Sequence, residues 1–324
     1  MINRRMIFRI LGALLLIEAI LMLCSAGVSL LYGENDMWAF LSAVGISLAV
    51  GLIFLWLGKH AVRTFGKRDG VLIVSVSWLC FSLFGMLPFL FSGAIPNLAD
   101  AFFETMSGFT STGATILNNI EQLPHGLLFW RSMTQWIGGL GIVFFTLAVL
   151  PIFGIGGVQL FAAEASNFSD KVHPRIGVTA KWIWGIYSGM TIVIAVLLRI
   201  GGMDNFDAVC HAFSTAGTGG YSTRQASISF YNSAYIEYVI SIGMLVSGVN
   251  FTLLLLFVHR KFKKCFQDSE LRCYLLSVCA FVAIITIGLY KTTSMSMELS
   301  FRRALFQVIS LHTSTGFTTC DYMQ

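Results

Sequence analysis

The sequence predicts an all-α polytopic membrane protein in which two extra transmembrane helices precede repeated units of spanning helix, short re-entrant helix and spanning helix. Three observations carry this expectation. Of the 324 residues, 56% are hydrophobic and only 11% are charged, against about 25% charged in soluble domains. Seven apolar stretches, 6–31, 38–57, 71–92, 127–153, 177–200, 234–258 and 271–290, are long enough for a hydrocarbon layer that takes about 20 helical residues to cross. Three shorter apolar stretches, 97–109, 204–215 and 298–312, resemble one another. The composition excludes a cytosolic enzyme, a disordered tail and a nucleic-acid binder. The seven cysteines include no CxxC pair, so the sequence shows no disulfide framework and no metal cluster.

The first stretch follows Arg4, Arg5 and Arg9 as a signal peptide would. It lacks a small-residue cleavage site and is read as an uncleaved helix. Charges avoid the span interiors: Arg9, Arg131, Lys181, Arg199, Glu237 and Arg272 fall near span ends, where long side chains can snorkel. Glu18 lies inside the first span and is read as paired or at a helix interface. With the N-terminus inside, the inner side receives 15 of the 21 lysines and arginines, including Lys59, Arg63, Lys67 and Arg68 after the second span and Arg260, Lys261, Lys263 and Lys264 after the sixth. This asymmetry orients the chain.

The three short stretches all fall on the outer side. A helix of 12 to 15 residues reaches only about 20 Å, so it either lies flat on the surface or dips in and turns back, which is tolerated where the return is buried in protein or lines a watery cavity. The repeat favours the second reading. Asp100–Thr115 aligns without a gap on Arg303–Thr318, with eight of sixteen residues identical. The middle copy, Asp207–Ser222, fits with one residue fewer between its serine and its Thr-Gly pair. Gly113, Gly219 and Gly316 then occupy one position of a repeated unit.

This arrangement suits cation dehydration. A short helix entering from outside directs its C-terminal partial charge, about −0.5, toward the membrane centre. Beyond it, glycine permits backbone orientations that aim carbonyl oxygens at one axis, and rings of carbonyls replace an ion's water shell in potassium filters. Thr112, Thr218 and Thr315 can brace the loop or add a hydroxyl ligand. Ordinary C-cap turns are the plainer explanation of one Thr-Gly pair, though a poorer one of three in matched positions.

Gln135–Ile142, together with the Thr-Ser-Thr-Gly and Thr-Gly-Gly-Tyr-Ser strings, resembles the TrkH-type potassium uptake subunits of the Trk/Ktr/HKT superfamily, and the likeness runs the length of the chain. The resemblance implies two N-terminal transmembrane helices in 1–70, membrane–pore–membrane units with re-entrant pore loops in 71–176 and 177–270, and an incomplete third unit in 271–324. It implies a filter at Thr112, Gly113, Thr218, Gly219, Thr315 and Gly316, with Gly138, Gly139 and Gly141 in the helix after the first filter. It further implies potassium as transported substrate, no cofactor and no enzymatic chemistry, a bacterial inner membrane with the N-terminus cytoplasmic, a homodimer, and a cytoplasmic TrkA-like nucleotide-binding regulator. The family pattern has four pore loops, whereas this sequence stops eight residues after Gly316; the expectation is a truncated chain that builds no selective pore alone. A secondary transporter with broken helices and a non-conducting assembly module are the competing readings.

Asp204, Asp207 and Glu298 stand near short-helix starts and read as caps. Glu104, in mid-helix, reads as a hydrogen-bonded structural carboxylate or an electrostatic attractor. His211 and His312 have no partner at ligand spacing and read as satisfied histidines. His259–Lys264 is a basic cluster suited to anionic lipid or to a cytoplasmic regulator. The glycines of 154–157 lack the Lys-Ser/Thr of a phosphate loop.

Overall fold

The computed structural model describes residues 3–59, 67–141 and 176–320, with side chains omitted at 67–70 and 176–180. The described residues form helices joined by turns and extended segments, with no hydrogen-bonded β-strand among them. They divide into two compact units: one runs to Thr110 and resumes at Ala114–Trp184, and the other holds Ser111–Gly113 and everything from Gly185.

The first unit contains α1 (Arg4–Tyr32), α2 (Met37–Leu57), α3 (Lys67–Gly85), α4 (Leu87–Phe91), α5 (Leu98–Phe109) and α6 (His125–Gly139). Asn3 caps α1 by accepting from the Met6 N–H at 3.2 Å, and Gly33 ends it in the left-handed region, φ 68°. Helices α1 and α2 pack backbone to backbone. A Cβ on Gly12 would sit 2.7 Å from the Gly51 carbonyl oxygen and 2.8 Å from the Leu55 nitrogen, so only a residue without a side chain permits this approach; small residues are the usual means of close packing in lipid, where burying apolar surface gives no drive to associate. Asn97 caps α5 through the Ala99 N–H at 2.9 Å. At 12 residues, α5 is about 18 Å long, too short to span.

The second unit contains the part of α7 (Ile176–Ile200) from Gly185 on, together with α8 (Asn205–Ala216), α9 (Ala234–Ser247), α10 (Phe251–Val258), α11 (Phe262–Gln267), α12 (Ser269–Thr292) and α13 (Met297–His312). Its core gathers Ile194 and Leu198 of α7, Ile240 and Met244 of α9, Val278 and Val282 of α12, and Phe306 and Ile309 of α13 around Phe317.

Among the described residues, five helical stretches are long and apolar enough to cross a membrane: Arg4–Tyr32, Met37–Leu57, Val71–Phe91 (α3 with α4), Lys181–Ile200 and Ser269–Thr292. They match five of the seven expected spans. The expected span 127–153 is described only to Gly141; α6 ends at Gly139, and Gly141 has φ 69°. The expected span 234–258 is corrected. It is two helices, α9 and α10, bent by 101°. Asn250 begins α10 by accepting from the Thr252 N–H at 3.0 Å, a capping bond that offers the chain an alternative to continuing α9.

Candidate functional site

Each short helix runs into a turn of the same backbone form. Ser111, Thr218 and Ser314 are left-handed, with φ 51°, 48° and 55°, and two residues later Gly113, Gly220 and Gly316 are left-handed again, with φ 78°, 80° and 85°. The hydrogen bonds repeat as well: Gly219 N–H donates to Ser214 O at 2.9 Å and Thr315 N–H to Ser310 O at 2.8 Å. These paired features set a backbone register for the middle copy that differs from the sequence alignment. Gly220 stands where Gly113 and Gly316 stand, Gly219 where Thr112 and Thr315 stand, and Thr218 where Ser111 and Ser314 stand. The three copies therefore align without a gap. In Thr-Gly-Gly either glycine completes a Thr-Gly-like pattern, and only the backbone angles separate the two alignments.

Within the second unit the three return strands meet. A Cβ on Gly113 would overlap the Gly219 carbonyl oxygen and lie 3.5 Å from that of Thr315, while one on Gly220 would overlap the Thr315 carbonyl oxygen and lie 3.3 Å from the Gly316 carbonyl carbon. Each glycine thus abuts a main-chain oxygen of the next copy. The positive φ already disfavours any side chain here, and the close approach excludes one on space alone. Gly113, Gly219 and Gly220, and Thr315 and Gly316 are gathered together, as the repeat requires.

Behind the strands, one helix position supplies the brace in all three copies. Glu104, His211 and Gln307 occupy the same register, four residues after Asp100, Asp207 and Arg303. Glu104 accepts from Thr115 Oγ1 at 2.9 Å and from the Ile116 N–H at 3.1 Å. His211 Nε2 lies 2.9 Å from Ser222 Oγ, and its Nδ1 lies 2.7 Å from Asp207 O. A carbonyl can only accept, so the proton sits on Nδ1 and Nε2 accepts the serine hydroxyl. Gln307 Nε2 donates to Phe317 O at 3.2 Å, where Ser310 Oγ donates also, at 2.8 Å. The three side chains differ in chemistry but tie each outgoing strand to its own helix.

Glu104 and His211 are satisfied structural groups, in keeping with their sequence reading. Arg131 requires a correction: expected to snorkel, it is buried at 2% exposure and its Nε lies 2.6 Å from Glu104 Oε1. The fixed charge thus has a carboxylate partner in place of water. Glu237, also expected at a span end, is buried 3.4 Å from Arg302 Nε. Asp207 is not the cap of α8. Asp204 is, accepting from the Asp207 N–H at 2.7 Å, which leaves the Asp207 carboxylate to accept from Thr223 at 2.7 Å, Arg224 at 2.8 Å and Tyr231 at 2.6 Å. Glu298 lies in the first turn of α13, where its charge complements the helix dipole, but the cap is Ser296. His312 pairs with Ser277 at 3.1 Å and stacks on Tyr274. Glu18 is fully buried at a helix interface, its Oε1 3.0 Å from where a Gly85 Cβ would stand, and neither of its carboxylate oxygens has a hydrogen-bond partner among the described residues. The interface part of its reading holds, and no pairing partner lies among the described residues. The Glu104–Arg131 pair was hidden by its separation of 27 residues; the shared brace could have been found by stacking the three copies.

Known proteins match this chain along nearly its whole length. The Trk system potassium uptake protein TrkH of Halomonas elongata is 38% identical over 98% of this chain and 67% of its own length. That of Escherichia coli strain K12 is 40% identical over 97% and 66%. The crystal structure of the potassium transporter TrkH from Vibrio parahaemolyticus superposes with a TM-score of 0.83 at 36% identity, covering 98% of this chain and 66% of that one. The chain thus spans about two thirds of the length of these relatives. The model of the family described as TrkH, a cation transport protein, matches residues 37–324, and the chain belongs to that family.

Proposed function

We propose that this chain carries three of the filter strands of a potassium uptake pathway, with the ion passing as a dehydrated cation past main-chain oxygens at Thr112-Gly113, Gly219-Gly220 and Thr315-Gly316. The observation that carries the reading is the meeting of these strands, Gly113 abutting the Gly219 carbonyl oxygen and Gly220 that of Thr315. Oxygen dipoles held at fixed positions can replace a hydration shell, and each short helix carries its negative partial charge at the end that leads into its own turn. The potassium-transporting names of the relatives support the choice of ion.

The same reading places the chain in a bacterial inner membrane with its N-terminus cytoplasmic, since basic residues gather on that side. It assigns a homodimer and a TrkA-like nucleotide-binding regulator as partners, potassium as substrate rather than cofactor, and no enzymatic step. Thermal unfolding of the purified chain in choline, sodium, potassium and rubidium chlorides at equal ionic strength tests the assignment. Potassium and rubidium are expected to raise the midpoint above sodium and choline, as selective ligands of the folded state do. Identical curves in all four salts would overturn it.

A further inference from the structure

We infer that the elbow formed by α10, α11 and the start of α12 is a docking surface for acidic phospholipid headgroups. Its inner side is fixed: Leu253, Cys265 and Leu271 form a small buried cluster, and Arg272 Nε donates to Phe266 O at 2.7 Å, which ties α11 to α12. Its outer side mixes two chemistries that a membrane interface accommodates together. Phe257, Val258, Phe262 and Phe266 are 50%, 50%, 44% and 58% exposed, and Phe257 meets Phe262 edge to face at 4.9 Å. Between and beside them Arg260, Lys261, Lys263 and Lys264 are exposed, and none of the four takes part in an ion pair among the described residues. The acids nearest in sequence form no ion pair with them: Asp268 caps α12 through the Leu271 N–H at 3.0 Å, and Glu270 lies in the first turn of that helix, where its charge faces the dipole.

Half-exposed phenylalanines disfavour water, and four unpaired cations disfavour hydrocarbon. The headgroup layer satisfies both, with the rings entering the acyl boundary and the cations meeting phosphate. The 101° bend between α9 and α10 contributes by turning α10 away from the line of α9, so that α10 and α11 can run along the interface. Charge complementarity selects an anionic lipid over a zwitterionic one.

The full chain, purified in neutral detergent, is titrated with short-chain phosphatidylglycerol or phosphatidylcholine while its thermal midpoint is followed. Half-saturation by the glycerol lipid is expected at about tenfold lower concentration than by the choline lipid, with the difference shrinking in high salt. R260Q/K261Q/K263Q/K264Q is expected to bring the two lipids to the same value, and K261R/K263R/K264R to keep them apart, since charge and not lysine is what the surface uses. Equal half-saturation by both lipids in the parent chain, which needs no variant to fold, would overturn the inference. So would an undiminished preference in the four-site glutamine variant, or the same midpoint shift from inorganic phosphate alone, which would mark a free-anion site instead of a lipid surface.

Discussion

At the scale of single residues, the convergence of the turns depends on which glycine of the middle copy takes the left-handed position. Gly220 has φ 80° and abuts the Thr315 carbonyl, whereas Gly219 stands where the other copies carry Thr112 and Thr315. Gly220→Ala is therefore expected to cost at least about 1–3 kcal/mol of stability through backbone strain and to abolish potassium-specific stabilisation. Gly219→Thr, which restores the residue of the other two copies, is expected to keep that stabilisation. Potassium-dependent melting of the two variants checks the pair, and the reverse ranking would restore the gapped register. The Glu104–Arg131 pair yields a second expectation. Removing one partner of a buried ion pair leaves an unpaired charge and costs roughly 3–5 kcal/mol, while replacing both costs far less. Glu104→Gln and Arg131→Met should each destabilise strongly, and the double variant should be milder than their sum. Additive losses in the unfolding cycle would mean that the two groups do not depend on each other.

At the scale of elements, hydropathy made most of the helices readable because an apolar run of about 20 residues has few alternatives in lipid. It failed at 248–250 for a physical reason. Gly248-Val-Asn250 interrupts a run whose average hydropathy scarcely changes, and the break is set by a capping bond and by packing between elements distant in sequence. A Cβ on Gly248 would lie 2.7 Å from the Tyr274 hydroxyl and 2.9 Å from Thr313 Cγ2, so α12 and the turn after α13 press on the elbow where the chain changes direction. Gly248→Ala is expected to destabilise by about 1–3 kcal/mol, the usual scale of overpacking. Tyr274→Phe in that background should recover part of the loss, even though it gives up the 3.0 Å bond to Leu245 O. Chemical unfolding in detergent measures both, and a neutral Gly248→Ala would show that the elbow does not depend on this contact. The short helices were also legible, from length and caps. Their braces were less so, because Glu104, His211 and Gln307 share a position but no residue type, and their partners Thr115, Ser222 and Phe317 lie on the far side of the turn.

At the scale of the whole molecule, a threefold repeat of short helix, left-handed turn and return strand brings main-chain oxygens together within an otherwise apolar chain. Sequence identity between the first and third copies revealed the repeat, and the backbone angles placed the second in step with them. What the sequence could not display is convergence itself, since Gly113, Gly219 and Thr315 lie about a hundred residues apart and meet only when the helices between them fold. The most direct test of that convergence as an ion site is diffraction from crystals of the chain grown in thallium, a heavy mimic of potassium. The account expects an anomalous peak where the carbonyl oxygens of Gly219 and Thr315 face the strand of Gly113, weakened when potassium is added in excess and unmoved by sodium. Thallium bound only at surface carboxylates, with no peak among those strands, would contradict it.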